Sequence, residues 1–545
     1  MQQQNLQQSS LNEYHGSINK IRLGRIVISL SAIMIVTKIF GFIEKVVIAN
    51  FFGTGDMADV YFVSMGIVLS IVFLVKELVY PSLLPVFMET LSKGPYVSAS
   101  LFRKVFLSSA SLLAVVAIVF IVFPGLITHL IAPGFSDSKQ QITCTLIKML
   151  APTVFFLSLA MVTYTTLNSR RRFLTAALPE AGFKLFIVVM LISLVPLQGI
   201  HAVAIAMGLG AFGYLIVQLY FIPDSRFLFI NKDSTENKDY FKKVLLLMSP
   251  LVLGVVFSHI SGLVDNILAS TLPTGHLSYL GYSKKFIDAV LLAGPVTLVV
   301  VFFSHASHMA SIDDLATLAR MIKKIIKLLI YTSVPATCLL ISLRQPIIRV
   351  FFQRGYFTSE STFGTSQALL IYSLGLTTFS LETLLVHGFF ALSDTKTPVK
   401  FGIICVCLDI CLAILFIKPL GYLGIAIAFV ISKTIKTIIL AVKLEKKLTG
   451  LFDSGLLILA VKLILSTTIM WVTVLFLLKI DNADTLLYAA ALDLVLPGIG
   501  GVLVFIACSW LLKIDELQQV ISILKKRQAV VNSITGKDKL PKALK

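Results

Sequence analysis

The sequence predicts an all-α polytopic membrane protein of about fourteen transmembrane helices: two parallel, pseudo-symmetric six-helix lobes around a central cavity, plus two C-terminal helices. Three observations predict it. The 545 residues are 57% hydrophobic and only 14% charged, against roughly 25% charged in ordinary globular chains. Mean hydropathy is +0.91, and apolar blocks long enough to span a bilayer, about 20 residues each, recur from end to end. Finally, segments of the first half are echoed in order in the second. No alternation of the β-barrel kind is visible, and helices satisfy their own backbone polar groups in lipid.

The chain opens on a polar stretch, 1–24, that lacks a short apolar core and a small-residue cleavage site and reads as a cytoplasmic tail. Apolar blocks follow at 25–52, 57–90, 105–132, 142–168, 172–195 and 199–222, which make an N-terminal lobe over 25–222. A linker, 223–242, leads to blocks at 243–271, 278–305, 318–345, 361–392, 397–418 and 421–442, the C-terminal lobe over 243–442. Two further blocks, 455–479 and 485–512, occupy 443–512, and 513–545 is a basic tail.

Connections alternate in charge. Arg103 and Lys104, Arg170 to Arg172, Lys232 to Lys243, Arg320 to Lys324, Lys396 and Lys400, and Lys443 to Lys447 form one set. The alternate set ("GTGD", "PLQG", "TLPTG", "DNADT") is poor in cations, the exception being 344–354 with Arg344, Arg349 and Arg354. The positive-inside rule puts the first set, and with it both termini, in the cytoplasm. It also accounts for the net charge of +19 without nucleic-acid binding. The six cysteines lie within apolar blocks without metal spacing and read as buried thiols.

The echo has an offset of roughly 220–225 residues: "GFIEKVVIANFFGTG" from Gly41 against "GLVDNILASTLPTG" from Gly262, "IAPGF" against "FFQRGYF", and "TLNSRRRFLTAALPE" against "ALSDTKTPVKFG". About six helices lie in each unit, an even number, so both point the same way. Two parallel lobes imply a central cleft and rocking-type alternating access.

Charges inside these blocks are costly. Lys38 and Lys45 are two turns apart on one face of the first block, Asp59 opens the second, and Lys76 and Glu77 follow; the eighth block carries Ser278, Lys284, Lys285 and Asp288. Lys285 and Asp288, three apart, can meet on one face. For Asp56, Lys76 and Lys284, internal ion pairing or snorkelling suffices. Lys38 and Lys285 lie well inside equivalent blocks and point to a cavity, where lysines act as strongly hydrated point charges suited to a polyanion such as a pyrophosphate. Asp265 and Asp409 sit mid-block among apolar residues: either protonated or hydrogen-bonded carboxyls, or the oxygen ligands of a hard cation. The scattered histidines offer no metal site, and no P-loop, nucleophile elbow or zincin motif is present, which excludes ATP hydrolysis and covalent catalysis by those routes.

Taken together and in order, "KIFGFIEKVVIANFFGTGDMADVYFV", "SYLGYSKKFIDAVLLAGP", "VFFQRGYFTSESTFGTSQALLIYSLG" and "GFFALSDTKTPVKFGI" resemble the MurJ/MviN family of lipid-linked cell-wall precursor flippases, in the multidrug/oligosaccharidyl-lipid/polysaccharide exporter superfamily. The resemblance implies a V-shaped two-lobed transporter with a cationic cavity. It would move undecaprenyl-pyrophosphate-linked peptidoglycan precursor (lipid II) across the bacterial cytoplasmic membrane, alongside membrane lipids and the cell-wall synthesis machinery. By position it implies cavity roles for Lys38, Lys45, Asp59, Glu77, Ser278, Lys284, Lys285 and Asp288. It also implies a sodium site at Asp265 and Asp409, no other cofactor, coupling to sodium or to membrane potential, and a lipid-tail groove in the last two helices. The chain departs from the family where Glu44 precedes Lys45 and displaces the cation by one position. It departs again where Val72 and Phe73 replace an arginine pair, where lysines replace two cavity arginines, and where Ala413 replaces one acid of the sodium site. A flippase for another lipid-linked oligosaccharide, a cation-coupled small-molecule antiporter and a non-transporting scaffold are the alternatives. The lysines argue against the antiporter, whose cavity needs carboxylates and aromatics.

Overall fold

The computed structural model describes residues 29–222 apart from 31, 237–293, 299, 309, 314–480 and 487–522, and among them it contains helices and no strands. The first helix, α1, covers 32–52. It is followed by α2 (Asp56–Lys93), α3 (Pro95–Val122), α4 (Pro124–Ile131), α5 (Asp137–Ser169), α6 (Phe173–Gln198) and α7 (His201–Phe221). The second half holds α8 (Asn237–Ser270), α9 (His276–Ala293), α10 (Leu315–Ser342), α11 (Arg344–Phe352), α12 (Ser359–Leu374), α13 (Leu376–Ala391), α14 (Lys396–Leu420) and α15 (Tyr422–Glu445). Last come α16 (Ser454–Ile480), α17 (Leu487–Leu511) and a short helix, α18, at 515–522.

By length and composition, eleven of these helices can cross a membrane, or twelve if the bent pair α12 and α13 is one span. Helices α1 and α9 stand outside that set because each carries three charged residues: Lys38, Glu44 and Lys45, and Lys284, Lys285 and Asp288. They are the helices from which the sequence predicts a cavity.

Several predicted blocks are subdivided. The third starts at Pro95 and breaks at Phe123, where Pro124 begins a new helix at its first position. The ninth ends at Ser342, close to its predicted bound, and α11 occupies the connection that follows, while the tenth bends by 45° at Gly375. Helix α8 begins at Asn237, inside the segment read as linker, with Asp239 in its first turn where the helix dipole favours an acid. The end of the eighth block, residues 223–236 and the tail beyond 522 lie outside the described residues.

The repeat is visible in the backbone. Positive-φ residues recur 222 apart: Gly53 and Gly275, Arg171 and Ser393, Gly199 and Gly421. After α5 the Arg172 N–H donates to the Leu167 carbonyl, and after α13 the Asp394 N–H donates to that of Phe389. Both are five-residue Schellman closures around a left-handed residue. One half packs α5 between α2, α3 and α7, with α6 on α7; in the other, α9 lies on α12 and α14 on α15. Contact between the halves runs along α2 against α8 and α9, and α16 and α17 pair with each other and reach α10 and α11. Large apolar side chains such as Leu112, Leu197, Leu253 and Ile464 point outward, as expected where lipid is the solvent.

Candidate functional site

The odd feature of the sequence, Glu44 followed by Lys45, is a buried knot. Glu44 is 2% and Lys45 7% exposed. Lys45 Nζ lies 2.6 Å from Glu44 Oε1 and Lys184 Nζ, from α6, 2.8 Å from Oε2. The Tyr61 hydroxyl donates to Oε1 at 2.8 Å, and the Lys45 ammonium donates to the Tyr61 oxygen. A carboxylate with two cations and a phenol has most of its lone pairs satisfied, as a buried charge requires. Lys45 is thereby directed into the packing of α1, α2 and α6.

Lys38 is exposed. The charges acting on it are Glu180, Lys76, Lys184 and Lys285. Lysines from α1, α2, α6 and α9 therefore share one electrostatic neighbourhood with one acid from α6. Lys285 pairs with Asp288 at 3.2 Å, both about half exposed. Glu77 faces His259 of α8 at 3.5 Å, and Phe73 stacks parallel to the His259 ring.

Asp59 is 2% exposed and sits at the end of the α2/α8/α9 seam away from the Lys/Arg-rich connections. Its Oδ2 accepts from the Gly275 N–H at 2.9 Å and from Lys139 Nζ at 3.0 Å; its Oδ1 accepts from the Ser278 N–H at 3.0 Å. A helix N-terminus offers free N–H groups and positive potential, so an α2 carboxylate caps α9. Around it the Ser278 hydroxyl donates to the Gly275 carbonyl at 2.9 Å, the Tyr282 hydroxyl donates to the Gly53 carbonyl at 2.9 Å, and the Thr274 hydroxyl donates to Asp56 at 2.8 Å. The hydroxyls of Thr54 and Ser361 share a hydrogen bond of 2.6 Å, and the Tyr356 N–H donates to the Asn50 carbonyl at 3.0 Å. A Cβ on Gly53 would collide with the Tyr356 carbonyl, so glycine permits this approach as well as the turn. At the other end of the seam Lys243 of α8 pairs with Glu89 of α2 at 2.6 Å. The α2/α8 seam is joined at both ends.

The second predicted cluster is on α8, α14 and α15. Asp409 accepts from the Ser261 and Ser432 hydroxyls, and Asp265 and Asp409 act on each other electrostatically. Lys284 Nζ is 3.8 Å from Asp265 Oδ2, beyond hydrogen-bond reach, and that oxygen is buried without a hydrogen-bond partner. Carboxylate and hydroxyl oxygens are the donor types a hard cation takes, while among the described residues no three His, Cys, Asp or Glu side chains gather as a metal site. Ala413, fully buried, contributes no ligand.

Of the predicted residues, the structure gathers Lys38 and Lys285 in one field, with Asp288 paired to Lys285. Glu77 lies on the α2/α8 seam, Asp59 and Ser278 form a latch, and Lys45 and Lys284 are drawn to carboxylates. The sequence reading missed Lys139, which lies before the block predicted at 142, and Lys184, Glu382, Lys433 and Lys436. The last four lie inside apolar blocks, and the cost of an intramembrane charge was the signal that marked them.

The family model described as lipid II flippase MurJ matches residues 48–492. A probable lipid II flippase MurJ of Vibrio cholerae is 27% identical over 422 residues, 75% of this chain and 80% of that protein. One from Rickettsia prowazekii is 26% identical over 505 residues, 89% of this chain and 97% of that protein. Among solved structures, a lipid II flippase MurJ in an inward closed conformation superposes with a TM-score of 0.74 at 23% identity, covering 90% of this chain and 99% of its own. An inward-facing multidrug resistance MATE transporter of the MOP superfamily gives 0.64 at 14% identity, with 76% and 95% covered. The chain, a multi-pass membrane transporter rather than an enzyme, belongs to the lipid II flippase MurJ family.

Proposed function

We propose that this chain carries lipid II from the inner to the outer leaflet of the bacterial cytoplasmic membrane by alternating access, with both termini cytoplasmic. The observation that carries this reading is that the exposed Lys38 lies in the field of three further lysines, Lys76, Lys184 and Lys285, from helices of both halves. Like charges so placed in a membrane protein repel and are costly, and a pyrophosphate returns the missing negative charge. The polyprenyl tail stays in lipid while the headgroup enters from the side of the basic connections. With the latch at Asp59 closing the outer end and Lys243 on Glu89 closing the inner one, the structure corresponds to a state shut on both sides, and opening of the latch while Lys243 stays on Glu89 releases the headgroup outward. A sodium ion would be held by Asp265 and Asp409 with Ser261 and Ser432, neutralising carboxylates that otherwise repel. The enzymes that make and consume lipid II are the partners this reading implies.

Complementation tests it. Lys38→Ala and Lys285→Ala should each fail to rescue a flippase-depleted strain at normal protein levels; rescue by both sinks the cavity reading. A lipid II flipping assay with competing lipid-linked oligosaccharides checks the substrate, and transport indifferent to sodium and to Asp265→Asn removes the cation site.

A further inference from the structure

A second cationic pocket lies in the second half, lined by α9, α12, α13 and α15, with a volume of about 410 Å³. The MurJ resemblance assigns nothing to it beyond Lys284 and Asp288. Lys433 and Lys436 lie mid-way along α15, and Glu382 in the middle of α13. Lys433 is eleven residues from the start of its helix, about 16 Å at the α-helical rise, which is bilayer depth.

One carboxylate oxygen holds two of these cations: Lys433 Nζ is 3.2 Å and Lys436 Nζ 2.7 Å from Glu382 Oε1. Each ammonium has three donors, so both keep donors to spare. Lys284 Nζ sits 4.2 Å from the centroid of the Phe429 ring and Lys433 Nζ 5.8 Å from it, which sets two ammoniums against one aromatic wall, with Lys436 joined to Lys433 through Glu382. Glu382 and Asp288 are the carboxylates that line the pocket with them. Three cations against two acids leave one positive charge over, in a space the size of a small-ligand site.

We propose that this pocket is a carboxylate subsite, taking one singly charged peptide carboxylate of the headgroup whose pyrophosphate the Lys38 neighbourhood receives. The excess of a single charge selects a carboxylate over a more highly charged phosphate group, and Glu382, which holds Lys433 and Lys436 in the absence of ligand, competes with it for their donors. The proposal rests on the lipid II reading, since it divides one substrate between two sites.

The test is direct binding by the purified full chain in nanodiscs, measured by calorimetry with N-acetyl-alanyl-alanine, which carries a single carboxylate, and with inorganic pyrophosphate. The dipeptide should bind, and Lys433→Gln/Lys436→Gln should weaken it at least tenfold, about 1.4 kcal/mol, with pyrophosphate affinity unchanged. Lys38→Ala should do the reverse. Glu382→Gln frees both ammoniums and should tighten the dipeptide severalfold, a gain that misfolding cannot mimic. Dipeptide binding that is absent, or indifferent to all three substitutions in the pocket, overturns the proposal, as does pyrophosphate competing for the same lysines. Dipeptide binding that follows these variants in a protein without lipid II transport keeps the subsite and removes the flippase reading.

Discussion

Asp59→Asn should unlatch the outer end of the transporter. The native carboxylate accepts from two α9 N–H groups at 2.9 and 3.0 Å and from Lys139 at 3.0 Å. Asparagine keeps one acceptor oxygen, and its amide nitrogen becomes a donor aimed at an N–H or an ammonium whichever way it turns. Hydrogen bonds to charged groups are worth about 1.5–3 kcal/mol each. Losing one of the two faces of the carboxylate, with its charge, therefore costs the latched state about 3 kcal/mol, a shift of roughly 150-fold in the ratio of latched to unlatched molecules. Lys139 retains Asp56 at 3.0 Å, so helix α5 stays anchored and the effect falls on the seam between the halves. The assay places a single cysteine at Ser361, which is 4% exposed within the latch, in a background without the native cysteines. It compares labelling by a membrane-impermeant maleimide with and without Asp59→Asn. Labelling from outside should accelerate by one to two orders of magnitude. An unchanged rate in correctly expressed protein would refute both the latch and the orientation given to it.

Further expectations concern stability. Gly53→Ala puts a Cβ against the Tyr356 carbonyl at φ +56°, whereas Gly41→Ala, within α1, meets nothing within 4 Å at an ordinary φ. Gly53→Ala should lower the melting temperature while Gly41→Ala leaves it unchanged or raises it by the equivalent of about 1 kcal/mol, and equal melting temperatures would contradict the close packing at Tyr356. Glu44→Gln strands Lys45 and Lys184 in the protein interior at a cost of about 3–5 kcal/mol; adding Lys184→Gln should recover part of it, and strict additivity would disprove the knot. In the turn before α14, burial pushes the Asp394 carboxyl up, but Lys447 at 2.6 Å and the Thr397 N–H and hydroxyl outweigh it and hold the carboxyl at about 2. A depressed carboxylate contributes its full stability above the unfolded value near 3.9 and loses it as pH falls through about 2. Asp394→Ala should therefore lower thermal stability by about 1 kcal/mol equally from about pH 5 to about pH 8, and a difference that varies across that range would show another group at work.

The helices were legible because each must be apolar over a bilayer's thickness, and eleven or twelve of them pass by length and composition. Helices α1 and α9 depart from that rule, and their departure pointed to the cavity. The breaks at Phe123 and Gly375 were harder to read, since apolar runs resume directly beyond Pro124 and Gly375 and neither residue by itself says whether a helix ends or bends there. At the site, Lys38 and Lys285 were found as charges out of place. Lys184 and Glu382 met the same criterion and were passed over because their partners lie 140 and 51 residues away.

By itself the sequence determined the class of molecule, the repeat at roughly 220 residues and the presence of cations within spans, because desolvation acts residue by residue and leaves its mark in composition. Which cations are spent on carboxylates and which stay in the cleft was decided only by tertiary structure. Glu44 and Lys45 look like an inverted motif in the chain. Lys184 and Tyr61, brought in by α6 and α2, make them a buried knot. Asp59 looks like an acid at the head of its own helix, and folding turns it into the cap of another, 216 residues on. Electrostatic partnership depends on distance in space, and no local pattern encodes that.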